Sequence, residues 1–255
     1  MNILHFPDFV RGTVKSSDTD PESSEVTVQT LTLVATSGAD SGGLPGHSER
    51  SSEEQVLLNA KVTKRLPTRR PQIRVYQVEL SDEHDVPCGI AVCKIAWDLC
   101  IPSLAHEVEI YQTKLKLLQG TFVPRLYGLY IGRVDGELAH VLLEEYCGPP
   151  PDSVCFQSGE VRKDMLVAAY KLHAAGVTHN DIVYLSRTIA LGSPPAPVAR
   201  FVGFDKAQAH DCPVVKRGVV AEDIKADIQQ FGEDCLLMRC RELRIIWSCL
   251  GFDVV

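Results

Sequence analysis

The stretch 172–181, LHAAGVTHND, decides the fold. It closes a helical segment, EVRKDMLVAAYKLHAA at 160–175, for which Gly176 is the stop, and then sets His179 and Asp181 one residue apart in a loop. Downstream, IVYLSRTIAL runs through the Pro-rich GSPPAP at 192–197 into VARFVGFD at 198–205, which reads as a loop followed by a hairpin. A lone His-x-Asp usually marks nothing more than a turn. The ordered set of helix, Gly-Val-x-His-x-Asp, hairpin, strand and Phe-Asp-x-Ala is more specific than any of its parts.

Working outward towards the N-terminus, three β-like stretches, VLLNAKVTKRL, IRVYQVEL and CGIAVCKIAW, are separated by polar or Pro/Gly turns and predict an antiparallel meander from residue 56. Residues 103–118 place Leu104, Val108, Tyr111, Leu115 and Leu118 at helical spacing, with Ser103 as N-cap and Gly120 as stop. Two more strands, RLYGLYIGR and AHVLLEEYC, flank the turn VDGE, and CGPPPD then breaks the chain. A last helix is expected over 223–249, carrying Ile224, Ile228, Phe231, Leu236, Leu243 and Trp247. Strands with one helix, then mostly helices, are the pattern of an α+β fold with two unlike lobes, 56–148 and 149–255. Residues 1–55 are rich in Ser, Thr, Asp, Glu and Gly, so a largely disordered region is expected there; the alternation VTVQTLTLV at 26–34 fits a short edge strand or a docking segment, but its polar flanks favour a mobile tail.

Composition narrows the function classes. The 255 residues carry 26 Lys+Arg against 33 Asp+Glu, a formal charge of −7, without a long basic run, which argues against nucleic acid as a partner. No apolar stretch reaches the ~18 residues of a membrane span, and the N-terminus lacks a signal-peptide pattern, so an intracellular protein off the membrane is expected. The nine cysteines show no CxxC pair and no histidine at zinc spacing, and read as reduced, mostly buried thiols, with a metal cluster a remote second.

Two single residues carry chemistry in the strand-rich half. Lys94 stands in the apolar AVCKIA, where snorkelling to solvent is the simplest reading, and Glu107 on the next helix is by itself a solvated face residue. A buried lysine needs a partner to stay charged, and a carboxylate one helix later is of the right kind.

Taken together, HEVEIYQTKLKLLQGTFVPRLYGLY at 106–130, LHAAGVTHND and FDKA resemble the protein-kinase fold, and within it fungal protein-kinase-like proteins, over about residues 56–250. The resemblance implies a bilobal fold with a small β-rich N-lobe and a truncated helical C-lobe. It implies that Lys94 holds the α/β-phosphates of ATP, fixed by Glu107, and that the backbone from Glu145 to Cys147 meets the adenine. Asp181, in the loop headed by His179, would be the base that accepts a hydroxyl proton. Asp227, with Gly232 in DIQQFG, would tie down that loop, although an aspartate there is also a simple helix cap.

The departures shape the functional expectation. Pro67, Arg69, Pro71 and Gln72 stand near the positions of phosphate-loop glycines, where proline lacks a donor and side chains obstruct close approach; Arg69 and Arg70 are the electrostatic substitutes. Gly203 stands where the family carries its metal-binding aspartate, so Mg²⁺ has no evident seat; Asp205, Ser186 and Thr188 are the substitute ligands. The expectation is a catalytically impaired pseudokinase that binds ATP or acts as a scaffold for a protein partner. The alternatives are an active protein kinase acting on a protein substrate through unconventional metal ligands, and a small-molecule phosphotransferase of the choline- or aminoglycoside-kinase type.

Overall fold

The computed structural model describes residues 3–5, 28–33, 57–68, 70, 72–134, 137–152, 155–182, 185–192, 199–215 and 239–251. The fold is α+β. Strands β1 (Ile3–His5), β2 (Val28–Leu33), β3 (Leu57–Leu66), β4 (Ile73–Ser81) and β5 (Pro87–Trp97) precede helix α1 (Ile101–Thr113), and β6 (Leu126–Val134) and β7 (Glu137–Glu145) follow it. The five strands β3 to β7 form an antiparallel sheet in the order β3-β4-β5-β7-β6. Strand β2 pairs with β6, while β1 bridges β2 and β3, so the seven strands close on themselves.

The alternation at 26–34 therefore contributes a strand, where its polar flanks favoured a mobile tail. The free edge of β6 supplies the hydrogen-bond partners that the segment lacks locally. Strand β1 at Ile3–His5 also falls within 1–55, and the remainder of that region lies outside the described residues.

Strand β5 explains its own apolar run. Residues Ala91 to Ala96 are buried without interruption because the strand is covered on both faces. Cys93 and Ile95 join Tyr76, Val78, Tyr130, Val141 and Leu143 in one core, whereas Ala96 packs with Leu142, Leu129 and the α1 residues Leu104 and Val108 in another.

Helix α1 starts at Ile101 with Pro102 in its first turn, where a missing N–H is harmless. Ser103 is thus inside the helix and not its cap; its hydroxyl accepts from the Arg70 guanidinium. The helix ends at Thr113, earlier than its apolar spacing suggested, and a 3₁₀ turn over Lys116–Leu118 leads to Gly120 at φ +76°.

The chain divides into two compact units, Met1–Val108 with Arg125–Tyr146, and Glu109–Pro124 with Cys147–Val255. In the second, α2 (Gly159–Ala174) is capped by Ser158, whose hydroxyl accepts from the Val161 N–H, and it buries every residue from Met165 to Tyr170. After β8 (Val177–Thr178) come the single turn α3 (Leu185–Thr188), the hairpin strands β9 (Ile189–Leu191) and β10 (Ala199–Phe201), and β11 (Gln208–Ala209), which pairs back onto β8. Helix α4 spans Arg241–Cys249, with Cys240 as its N-cap. It occupies only the end of the helix expected over 223–249; residues 216–238, with Asp227 and Gly232, lie outside the described residues.

Gly148 sits at φ +102°, and a β-carbon there would overlap the Leu191 carbonyl oxygen. Gly148→Ala is expected to cost about 3 kcal/mol through strain and backbone displacement, read as a lower urea midpoint at unchanged slope.

Candidate functional site

The first unit holds a buried ionic triad. Lys94 Nζ lies 2.6 Å from Glu107 Oε1 and 2.8 Å from Glu144 Oε1, and the three side chains are nearly inaccessible to solvent. The sheet register brings Glu144 there. It stands opposite Val92 on β7, which puts it on the same face as Lys94 and diagonal to it. Glu107 lies on α1 between Leu104 and Val108, within the apolar stripe that covers this face, so it is buried and not on a solvated face. Burial acts to lower the Lys94 pKa, but the carboxylates of Glu107 and Glu144 outweigh it and hold the pKa above the ordinary lysine value.

Lys94 therefore does not snorkel, and the partner expected for it is in place. A second carboxylate, Glu144, escaped the sequence reading; the available signal was a charge within the apolar run VLLEE.

Glu145 is turned to another task. Its N–H donates to the Arg125 carbonyl at 2.9 Å, and its Oε2 accepts from the Arg125 N–H at 3.1 Å. In the turn between β3 and β4, the Thr68 hydroxyl and the Arg70 backbone hydrogen-bond to each other, while Arg69 and Pro71 lie outside the described residues.

In the second unit the His179-Asn180-Asp181 loop is held from below by one carboxylate. Glu242, buried in the first turn of α4, accepts from the His179 N–H at 2.9 Å on Oε2 and from the Asn180 N–H at 2.7 Å on Oε1. The same Oε2 lies 2.9 Å from His173 Nε2. Burial acts to raise the Glu242 pKa, but the His173 hydrogen bond and the two loop amides reverse this and hold it below the ordinary glutamate value. Among the described residues Glu242 thus anchors the loop; Asp227, to which the resemblance gave that role, lies outside them. Nothing in the local sequence around Glu242 marks it.

Asn180 adopts φ +61°, a left-handed conformation that asparagine tolerates better than most residues, and its side-chain amide donates to the Lys206 carbonyl at 3.1 Å. His179 is fully buried. It packs on Phe201 and Phe204 with ring centroids 5.7 and 4.9 Å away, and its Nε2 lies 3.0 Å from the Val202 carbonyl oxygen. Burial lowers the His179 pKa, and the hydrogen bond to Val202 and the charges of Glu242, Asp181 and Asp205 oppose this without overcoming it. The neutral ring, with Nε2 donating to Val202, makes His179 a packing and hydrogen-bonding element of the loop.

Asp181 Oδ1 pairs with Lys206 Nζ at 3.1 Å. Gly203 is at φ +79° with open space around its α-carbon. Thr188 is buried and its carbonyl oxygen accepts from the Val202 N–H at 2.9 Å; Asp205 is half-buried; the Ser186 side chain lies outside the described residues. Cys147 is buried, and its sulfur accepts from Arg200 Nη1 at 3.4 Å.

This unit also brings together four further residues: His173, His210, Cys212 and Cys240 present ring nitrogens and sulfurs within 4.8 Å of one another. Only His210 and Cys212 are close in sequence. No helix among the described residues is long and apolar enough to cross a membrane. No family model matches this chain, and no curated protein is significantly similar to it.

Proposed function

We propose that the chain is a protein-kinase-like domain of the catalytically impaired kind, acting as a binding module for a protein partner. The observation that carries this reading is the double engagement of Lys94. A lysine that takes polyphosphate turns its ammonium to it; here the Lys94 ammonium is buried and held by two carboxylates, Glu107 and Glu144, which compete with phosphate for it. The order of elements supports the same reading: five antiparallel strands with one helix inserted after the third, then a mostly helical unit that carries the His-Asn-Asp loop. Gly203 adds to it, because a residue without a side chain offers Mg²⁺ no ligand where the resemblance calls for a carboxylate.

One feature favours the second reading, a working protein kinase. Asp181 is paired to Lys206 on a loop whose backbone is fixed by Glu242, as a positioned general base requires.

Thermal unfolding of the full chain with ATP, in the presence and absence of Mg²⁺, separates the two. The expected result is no Mg²⁺-dependent rise in midpoint and no phosphoryl transfer. Gly203→Asp is expected to restore neither and to cost about 1 kcal/mol, since aspartate fits the open space but not the left-handed backbone without strain. Mg²⁺-dependent phosphorylation by the unmodified protein, abolished by Asp181→Ala, overturns the impaired reading and makes Asp205 the first candidate ligand.

A further inference from the structure

We infer that His173, His210, Cys212 and Cys240 form a structural Zn²⁺ site, and that Glu242 orients its ligand His173 while holding the His179-Asn180-Asp181 loop. The donor set is two imidazoles and two thiols, the soft combination that selects tetrahedral zinc over Mg²⁺ or Ca²⁺.

The distances fit the ion. With Zn–S of about 2.3 Å and Zn–N of about 2.0–2.1 Å, tetrahedral geometry sets each sulfur–nitrogen edge near ~3.6 Å. Cys240 Sγ lies 3.5 Å from His173 Nδ1 and 3.6 Å from His210 Nε2. The two imidazoles stand edge to face, with centroids 5.1 Å apart and planes at 86°, so their rings do not crowd each other.

A carboxylate only accepts, so the Nε2 facing Glu242 carries a proton, which leaves Nδ1, 3.5 Å from Cys240 Sγ, as the ring nitrogen that faces the cluster. A histidine whose remote N–H is fixed by a carboxylate is the usual arrangement around a metal-ligating ring.

Each ligand sits on a tethered segment. His173 is in the last turn of α2, where its ring is fixed by Glu242. The His210 N–H donates to the Gly176 carbonyl at 2.8 Å, which extends the pairing of β11 with β8 up to the ligand, and Cys212 follows two residues later. Cys240 is the N-cap of the nine-residue α4, yet its side chain makes no capping hydrogen bond and is left to the cluster.

Binding releases the thiol protons of Cys212 and Cys240 to solvent and leaves a neutral assembly of Zn²⁺, two thiolates and two imidazoles, suited to a largely buried position. The ion would close loops of 30 and 67 residues in sequence separation. Through Glu242 that closure reaches the amides of His179 and Asn180.

The test uses the full chain, purified in reductant without added chelator, and the metals alone as probes. Elemental analysis is expected to find stoichiometric zinc. After chelation, Co²⁺ is expected to give visible d–d bands of tetrahedral intensity and a thiolate-to-cobalt charge-transfer band, which added Zn²⁺ abolishes. Cys212→Ser and His210→Ala, at the more accessible side of the cluster, should each weaken Zn²⁺ binding at least ~10-fold, the low end of the loss typical even of supporting residues, while Cys88→Ser and Cys100→Ser leave it unchanged. Removing zinc should speed amide exchange across 177–182. A zinc-free protein that gives no cobalt bands when reduced overturns the inference, as does zinc binding insensitive to both cluster variants. Recovery of a Cys212–Cys240 disulfide together with metal-free reduced protein overturns it too.

Discussion

Lys94→Ala is expected to destabilise the protein by about 3–5 kcal/mol at neutral pH, because it removes the ammonium that Glu107 and Glu144 share in a buried site. The effect is asymmetric. Glu144→Gln leaves a one-to-one pair of Lys94 and Glu107 and should cost no more than about 1 kcal/mol, and in the Lys94→Ala background it should recover part of the loss, a coupling that a double-mutant cycle reads directly. The pH dependence has a defined sign. In the parent, the folded Lys94 pKa is raised, so the ion-pair contribution is fully present below the ordinary lysine pKa and is lost only as pH rises through the folded value in strongly alkaline solution. In Lys94→Ala that alkaline loss should be absent. Urea midpoints across pH check both, and an equal loss for Lys94→Ala and Glu144→Gln would contradict the account.

Glu242→Ala is expected to cost about 3–5 kcal/mol as well, since it removes the acceptor shared by the His179 N–H, the Asn180 N–H and the His173 ring. Glu242→Gln should rescue only part, leaving a deficit of about 1–3 kcal/mol, because its amide group turns a donor towards donors. Hydrogen exchange should localise the damage to residues 177–182. If Asp227→Ala produced the larger loss there, the assignment of Glu242 as loop anchor would fail.

The strands and helices were legible because their signals are local. Strand β5 shows as CGIAVCKIAW and α2 as an uninterrupted pattern ending at Gly176, and both lie within a residue or two of where periodicity and stop signals put them. The ends of α1 were less so. Pro102 permits a start before Ser103, and the switch to a 3₁₀ turn at Lys116 preserves the apolar spacing while breaking the helix. The strand role of 28–33 was one reading of its alternation, but the polar flanks weighed against it, since it depends on the edge of β6, about a hundred residues away in sequence.

At the site, the pairing of Lys94 with Glu107 follows from the sequence through one principle, that a buried ammonium needs a carboxylate. Glu144, Glu242 and the His/Cys cluster follow from no such principle. Glu144 reaches Lys94 only because β7 pairs beside β5 in a register that sets it on the same face, and the sequence order of strands does not specify their order in a sheet. Glu242 and Cys240 meet His173 across sequence separations of 69 and 67 residues. Periodicity, capping and turn chemistry act over a few residues, so the sequence by itself determined the α+β class, most of the elements and the His-Asn-Asp loop. Which carboxylate holds that loop, which charges neutralise Lys94 and which thiols face which imidazoles were decided by long-range packing, because only the folded chain brings those groups within bonding distance.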